Sequence, residues 1–216
     1  MNVVEIFDSI DGEGIFAGQL ATFIRLAGCN LRCRYCDTGY AMQHNAGREM
    51  SIEEIAARVR EIGNKHVTLT GGEPLIHKDV DKLINELSSH GCIINIETNG
   101  SADVSPYISE NTVITLDYKT AGSGEECRML LDNWGKLRNT DALKIVCYQE
   151  DLSSIEEVLT THKTKAQIFL SPVYGETSPN LLVEFIKKLR DKHSIKSVRV
   201  QLQMHKYIWD PRKRGV

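Results

Sequence analysis

Three thiols stand close together in the segment Ala27-Gly28-Cys29-Asn30-Leu31-Arg32-Cys33-Arg34-Tyr35-Cys36-Asp37-Thr38, spaced C-x3-C-x2-C. Spacing this short lets one loop wrap one face of a cubane iron–sulfur cluster. Three thiolates would bind three irons and leave the fourth open to a non-protein ligand. Structural zinc needs four ligands, and the nearest further candidate, His44, fits no common zinc spacing. Cys33 and Cys36 could form a dithiol redox pair, but they open no helix of a thioredoxin-like unit. Cys92 and Cys147 lie in or beside strands and Cys127 in a helix expected after Gly122, where small apolar roles are the commoner ones. A second motif, Gly71-Gly72-Glu73-Pro74, could be an ordinary turn. Its residue types also suit a ligand: glycines let backbone approach closely, and a carboxylate pairs with an ammonium.

These residues need a frame, and the pattern from about Ala21 onward supplies one. Ala21 to Ala27, His66 to Thr70, Ile93 to Glu97, Val113 to Asp117, Leu143 to Cys147, Gln167 to Ser171 and Val198 to Leu202 read as short apolar strands. Amphipathic helices alternate with them. Ser51 and Glu54 form a capping box before the stripe Ile52, Ile55, Val59 and Ile62, which Gly63 ends. Val80, Leu83, Ile84 and Leu87 form a second stripe closed by Gly91. Ser153 with Glu156 predicts another capping box, and Ser178-Pro179 an N-cap and first turn. A further helix is expected after Gly122, interrupted by Gly124 and Gly135. Such alternation implies an α/β fold with a parallel sheet and right-handed crossovers. A complete eight-fold barrel takes about 250 residues. Six to seven mostly parallel strands with outer helices therefore predict an incomplete (β/α) barrel, with a doubly wound open sheet as the alternative. One domain is expected over 1–216, with a cluster loop at 28–38 and a closing C-terminal segment at about 198–216. Gly72, Thr98, Asp117, Ser171 and His205 all follow strands in this reading, so they should gather at the C-terminal face.

Composition narrows the partners. The chain has 216 residues and a formal net charge of -3, so no broad positive field recruits nucleic acid or an anionic membrane. Met1-Asn2-Val3-Val4-Glu5 has neither the basic start nor the apolar core of a signal peptide. No apolar run approaches the roughly 20 residues of a membrane helix. A cytoplasmic location is expected, where clustered thiols stay reduced and serve metals or redox chemistry.

The cysteine loop after a first strand, with Gly71-Gly72-Glu73-Pro74 after the second, resembles the radical S-adenosylmethionine superfamily. Within it, the chain is similar to the 7-carboxy-7-deazaguanine synthase family. The residues that carry this are Glu5-Ile6-Phe7-Asp8-Ser9-Ile10-Asp11-Gly12-Glu13-Gly14, Phe23-Ile24-Arg25, Cys36-Asp37-Thr38, Glu97-Thr98-Asn99-Gly100 and Gln203-Met204-His205-Lys206-Tyr207-Ile208-Trp209. The resemblance implies a carbon–nitrogen lyase of queuosine and 7-deazapurine biosynthesis. It would convert 6-carboxy-5,6,7,8-tetrahydropterin to 7-carboxy-7-deazaguanine with loss of ammonia. An adenosyl radical removes a hydrogen at C6, and S-adenosylmethionine is then regenerated. Implied cofactors are a [4Fe-4S] cluster on Cys29, Cys33 and Cys36, S-adenosylmethionine, and Mg²⁺ at Thr38 with Asp37 in its outer shell. Gly71, Gly72, Glu73, Gly100, Asp117 and Lys119 correspond to cofactor contacts. Ile10, Asp11, Gly12, Glu13, Arg25, Thr98 and His205 correspond to substrate contacts. A flavodoxin- or ferredoxin-type electron donor and a homodimer are also implied.

Two departures stand out. Asp11 occupies a position where the family often has Gln, and Asp117-Tyr118-Lys119 stands where many members have Ser-Pro-Lys. Two other functions compete. A glycyl-radical activating protein also carries C-x3-C-x2-C, but it gives no role to the Asp11-Gly12-Glu13-Gly14 loop and Arg25, which suit a small acid. A non-enzymatic iron–sulfur electron carrier needs a fourth ligand and leaves Gly71-Gly72-Glu73-Pro74 without one.

Overall fold

The computed structural model describes all residues, Met1–Val216. In chain order its elements are β1 (Asn2–Ile10), β2 (Leu20–Leu26), β3 (Arg48–Glu49), α1 (Ile52–Ile62), β4 (His66–Gly71), α2 (Val80–Ser89), β5 (Ile93–Thr98), β6 (Thr112–Lys119), β7 (Ala142–Cys147), α3 (Leu152–Thr161), β8 (Gln167–Pro172), α4 (Pro179–His193), β9 (Val198–Val200) and α5 (His205–Ile208). The nine strands form one sheet in the order β3-β1-β2-β4-β5-β6-β7-β8-β9, whose two ends are not joined. From β2 to β9 every neighbouring pair is parallel. β1 runs antiparallel to both β2 and β3.

All seven strands read from the sequence are present, as β2 and β4 to β9. The count of six to seven is nevertheless too low, because β1 and the two-residue β3 extend the sheet at its antiparallel end. β1 escapes period-2 reading because most of its residues are half-buried on both faces.

Side-chain alternation sets the two faces of the sheet. Ile24, Leu26, Val67, Leu69, Ile94, Ile96, Ile114, Leu116, Leu143, Ile145, Ile168 and Leu170 belong to one apolar core with the helices. That core takes Ile55 and Val59 from α1, Leu83 and Leu87 from α2, Ile155 and Leu159 from α3, and Leu182, Phe185 and Leu189 from α4. Each such burial is worth about 1.5–3 kcal/mol. The residues between them, such as Phe23, Arg25, Thr70, Glu97, Thr115, Asp117, Lys119, Lys144 and Val146, face a cavity instead. Helices cover one face and a cavity occupies the other, so the sheet is a partial barrel and not a doubly wound layer.

The helix signals fare unevenly. Ser51 Oγ accepts from Glu54 N–H at 3.2 Å, the Glu54 carboxylate accepts from Ser51 N–H at 2.7 Å, and Gly63 closes α1 in the left-handed conformation. The box expected at Ser153 is absent. α3 starts at Leu152, so Ser153 already lies inside the first turn. Glu156 turns instead to α4, where its carboxylate meets Lys188, Lys192 and His193 at 2.5–2.8 Å. After Gly122 there are three short 3-10 turns, Ala121–Ser123, Glu126–Arg128 and Leu131–Gly135, in place of an α-helix. Gly124 has φ +83° there and ends the first of them. No helix is long and apolar enough to cross a membrane.

Candidate active site

The cluster loop is fixed by two glycines at the end of β4. Gly71 has φ +149°, and a Cβ there would sit 2.2 Å from the Leu26 carbonyl oxygen. A Cβ on Gly72 would sit 2.1 Å from the Gly28 carbonyl oxygen. The absence of side chains lets Gly72 N–H reach Leu26 O at 2.9 Å and Glu73 N–H reach Gly28 O at 2.8 Å. The glycines thus serve the approach of backbone to backbone, which brings the loop carrying Cys29 against the end of β4.

Cys29, Cys33 and Cys36 all line one cavity of about 250 Å³ at the C-terminal ends of the parallel strands. All three are free thiols. Burial pushes the Cys29 thiol up and the Cys33 thiol to about 11. Leu31 N–H and Asn99 Nδ2 point at Cys29 Sγ at 3.4 and 3.8 Å, as donors to a ligating sulfur would. No three His, Cys, Asp or Glu side chains converge closely enough for a single ion. A cubane spreads its three thiolates over three irons, and three thiols on one cavity wall, one with donors aimed at its sulfur, fit that group.

Glu73 is buried beside the loop. One of its oxygens accepts from Thr98 Oγ1 at 2.8 Å and Leu75 N–H at 3.0 Å, and the other from Asn99 N–H at 2.6 Å. Burial pushes its carboxyl up to about 6, against the pull of those donors. On the far wall, Arg25 Nε donates to Glu5 at 2.8 Å, and Tyr40 O–H donates to the same oxygen at 2.7 Å. Glu5 and Arg25 are direct cross-strand neighbours on β1 and β2. Arg25 is therefore paired within the protein. Its two Nη groups make no hydrogen bond, so the fork stays free on the cavity side.

The floor is built by the chain between β1 and β2. Gly14 N–H donates to Gln201 Oε1 at 2.6 Å, and Met204 N–H donates to Gly12 O at 3.1 Å. Glu13 reaches Lys144 Nζ at 3.0 Å and Gln203 Nε2 at 3.2 Å. Asp117 takes Lys119 Nζ at 2.9 Å and Lys144 Nζ at 3.3 Å. Burial alone would push the Asp117 carboxyl up, but the two ammonium groups outweigh it and hold it below the usual range. Glu97 stands among these charges, and there burial prevails and raises its carboxyl.

The C-terminal segment closes the rim. Lys206 Nζ lies 2.9 Å from Asp37, and His205 Nε2 lies 3.9 Å from it. Burial works against ionisation of Asp37, but the hydrogen bond from His205 and the Lys206 ammonium hold its carboxyl well below the ordinary value. Arg214 stacks over the Tyr40 ring at 3.9 Å.

The cavity collects Ile10, Gly12, Glu13, Arg25, Thr38, Gly71, Gly72, Glu73, Thr98, Asp117, Lys119 and His205 together with the three thiols. It does not collect two residues. Asp11 is buried beneath the floor, where His66 Nε2 lies 2.7 Å away and Thr68 Oγ1 donates to it at 2.9 Å. Its carboxylate is consumed there, which corrects the expectation that it reads a substrate edge. Gly100 is a buried left-handed turn with φ +75°, and its carbonyl accepts from Leu130 N–H at 3.1 Å. It shapes the strand end and lies outside the cavity lining. Asp117 and Ser171 lie within strands and not after them. Thr98 faces the cavity, yet its hydroxyl donates to Glu73.

Glu97, Lys144, Glu5 and Tyr40 went unnoticed as candidate site residues. The signal for two of them was present. Lys144 is the one charge in Ala-Leu-Lys-Ile-Val-Cys, and Glu97 the one charge in Ile-Ile-Asn-Ile-Glu-Thr. A lone charge in an otherwise apolar central strand must face a polar interior or be paired.

The pattern of the radical SAM superfamily matches residues 23–114. The chain is 40% identical to the 7-carboxy-7-deazaguanine synthase of Clostridium acetobutylicum, covering 99% of this chain and 98% of that protein. It is 37% identical to the synthase of that name from Leptospira interrogans, covering 100% and 98%. The crystal structure of QueE from Escherichia coli superposes with a TM-score of 0.72 at 26% identity, covering 94% of each chain. Likeness along the full length sets aside the activating-protein and electron-carrier readings. Three thiols on one cavity, the glycine-locked loop and these relatives lead to one assignment: the chain belongs to the 7-carboxy-7-deazaguanine synthases, lyases of the radical S-adenosylmethionine superfamily.

Proposed function

We propose that the chain contracts 6-carboxy-5,6,7,8-tetrahydropterin to 7-carboxy-7-deazaguanine with loss of ammonia, on the route to queuosine and other 7-deazapurines. The observation that carries this is one cavity shared by the three cluster-loop thiols, a free arginine fork and a floor of buried carboxylates. When bound, the [4Fe-4S] cluster and S-adenosylmethionine supply the one-electron chemistry. The chain binds, orients and excludes water.

The roles divide by wall. Arg25, braced through Nε by Glu5, offers its Nη pair to the substrate carboxylate. Glu13, flanked by Ile10 and Gly12, offers its free oxygen Oε1 to the pterin N–H edge. Asp11 holds this loop from below through His66 and Thr68, so the departure from Gln does not place an acceptor against the substrate. Glu73, set by Thr98 and Asn99, faces the methionine ammonium, beside the loop that Gly71 and Gly72 lock. Asp117, with its free Oδ1, and Lys119 take the nucleoside side. His205 closes the rim with Lys206. Thr38 Oγ1, whose one polar neighbour is Cys36 Sγ at 3.7 Å, is left for Mg²⁺, with Asp37 behind it. A hydroxyl alone holds Mg²⁺ weakly, so substrate oxygens and waters complete its octahedron.

The working form is a cytoplasmic homodimer of single-domain chains, reduced by a flavodoxin- or ferredoxin-type protein. Anaerobic incubation of reconstituted protein with carboxytetrahydropterin, S-adenosylmethionine, Mg²⁺ and dithionite tests the reading. Mass analysis should find the deazaguanine acid, in yield exceeding the S-adenosylmethionine consumed. Recovery of unchanged pterin from protein holding about four irons per chain would overturn it.

A further inference from the structure

Lys144 belongs to no motif, yet it occupies the centre of the cavity floor. Its ammonium lies 3.0 Å from Glu13 Oε2 and 3.3 Å from Asp117 Oδ2. The remaining donors fall on those same two oxygens. Gln203 Nε2 reaches Glu13 Oε2 at 3.2 Å, and Lys119 Nζ reaches Asp117 Oδ2 at 2.9 Å. The other oxygens, Glu13 Oε1 and Asp117 Oδ1, are buried and have no hydrogen-bond partner. Buried acceptors without partners are rare in folded proteins and costly to keep. Two of them, on carboxylates tied to one ammonium at a cavity wall, mark places a ligand is built to fill.

We propose that Lys144 is a positioning residue that engages one oxygen of Glu13 and one of Asp117, so that the other oxygen of each is kept free of protein donors for a ligand in the cavity these residues line, selecting a heterocycle whose edge donates hydrogen bonds. The proposal rests on the pterin reading above and adds the origin of its specificity. The 2-amino and ring N–H groups of a pterin donate to a carboxylate. A ring with a carbonyl in place of the 2-amino group presents an acceptor to Glu13 Oε1, and two facing acceptors repel. Lys144 never touches the ligand in this account. It spends its hydrogen bonds on the inner oxygens, which removes the alternative of a carboxylate rotated away from the ligand. Because the same ammonium grips Asp117, it also holds the nucleoside side in register with the pterin side. Selectivity between such rings follows from unpaired polar groups more than from shape.

The experiment compares wild type, Lys144→Met and Lys144→Arg, each loaded with cluster. Fluorescence titration gives affinities for pterin-6-carboxylate and for lumazine-6-carboxylate, which carries the carbonyl in place of the 2-amino group. Wild type should prefer the pterin by at least tenfold. Lys144→Met should lose most of that preference and raise the substrate KM at least tenfold, with kcat at saturation changed less than threefold. Lys144→Arg should restore part of the preference, since a guanidinium can still bridge the two carboxylates. Should Lys144→Met fail to fold, Lys144→Gln is measured in its place, because a neutral amide cannot hold both carboxylates. A lysine that merely stabilises the fold would weaken both ligands equally and leave their ratio intact, so a wild-type ratio in the folded variants would overturn the proposal. Wild-type protein that fails to turn over the pterin would instead overturn the proposed function.

Discussion

At the residue scale, Arg25 and Glu73 hold opposite ends of the cavity by opposite means. Arg25 keeps an ion pair with Glu5 and leaves two Nη groups free. Arg25→Ala should weaken substrate binding by about 2–5 kcal/mol, the scale for truncating one member of a buried charge pair. Arg25→Lys should recover only part of that loss, because an ammonium lacks the fork. Calorimetric titration with pterin-6-carboxylate measures both; an unchanged affinity in the alanine variant would remove Arg25 from the carboxylate pocket. Glu73 has its carboxyl raised by burial to about 6. Above that pH it is ionised and can pair with the methionine ammonium; below it the proton competes with the ligand. S-adenosylmethionine affinity of the cluster-loaded protein should therefore rise from pH 5 to 7 and level off above. Glu73→Gln should abolish the dependence. Equilibrium dialysis across this range checks it, and a flat wild-type profile would show that the ammonium does not meet Glu73. Their place at one cavity was legible in their types and motif, but their hydrogen-bond partners were not. Glu5 lies 20 residues from Arg25, and only the register of β1 against β2 brings them together.

At the element scale, the joint between β4 and the cluster loop is a close approach of backbone to backbone. Alanine at Gly71 or Gly72 would drive a Cβ into a carbonyl oxygen at 2.1–2.2 Å, and at Gly71 into a backbone region that only glycine adopts readily. Gly72→Ala should cost about 1–3 kcal/mol from overpacking alone, and Gly71→Ala about 2–6 kcal/mol with backbone strain added. Iron content after reconstitution should fall in parallel with the melting temperature. Full iron content in Gly72→Ala would show that the loop does not depend on this contact. The floor loop makes a complementary case. Asp11→Ala strips His66 and Thr68 of a buried partner, and should cost about 1–3 kcal/mol of stability for each group left unsatisfied. The preference for pterin over lumazine should survive, because Asp11 faces away from the cavity. Element reading from the sequence succeeded where apolar runs were bounded by turn residues, as in the seven strands β2 and β4 to β9. It failed at β1, whose half-buried faces give no clean period. It failed again after Gly122, where tertiary bonds such as Asp151 to Gly122 N–H at 2.7 Å hold a 3-10 path.

At the scale of the whole molecule, the sheet sorts its residues into an apolar outer face under four helices and a charged inner face around the cavity. Alternation within single strands carried that division in the sequence, with Ile114, Leu116 and Tyr118 outward and Thr115, Asp117 and Lys119 inward. The fold class was therefore readable, while the pairing of Glu13 with Lys144, 131 residues away, was not. The same inner face predicts the behaviour of Mg²⁺. With one neutral hydroxyl from Thr38, the ion should bind measurably only when substrate is present. Thorough chelation should depress turnover while leaving the cluster spectrum intact; turnover unaffected by chelation would remove Mg²⁺ from the site. The central claim is that this cavity sets the pterin C6 hydrogen against the radical drawn from S-adenosylmethionine. Substrate deuterated at C6 tests it most directly, with mass analysis of S-adenosylmethionine recovered after several turnovers. Deuterium should appear in the recovered cofactor alongside the deazaguanine product. Product formed with no label in the cofactor or in 5′-deoxyadenosine would contradict it.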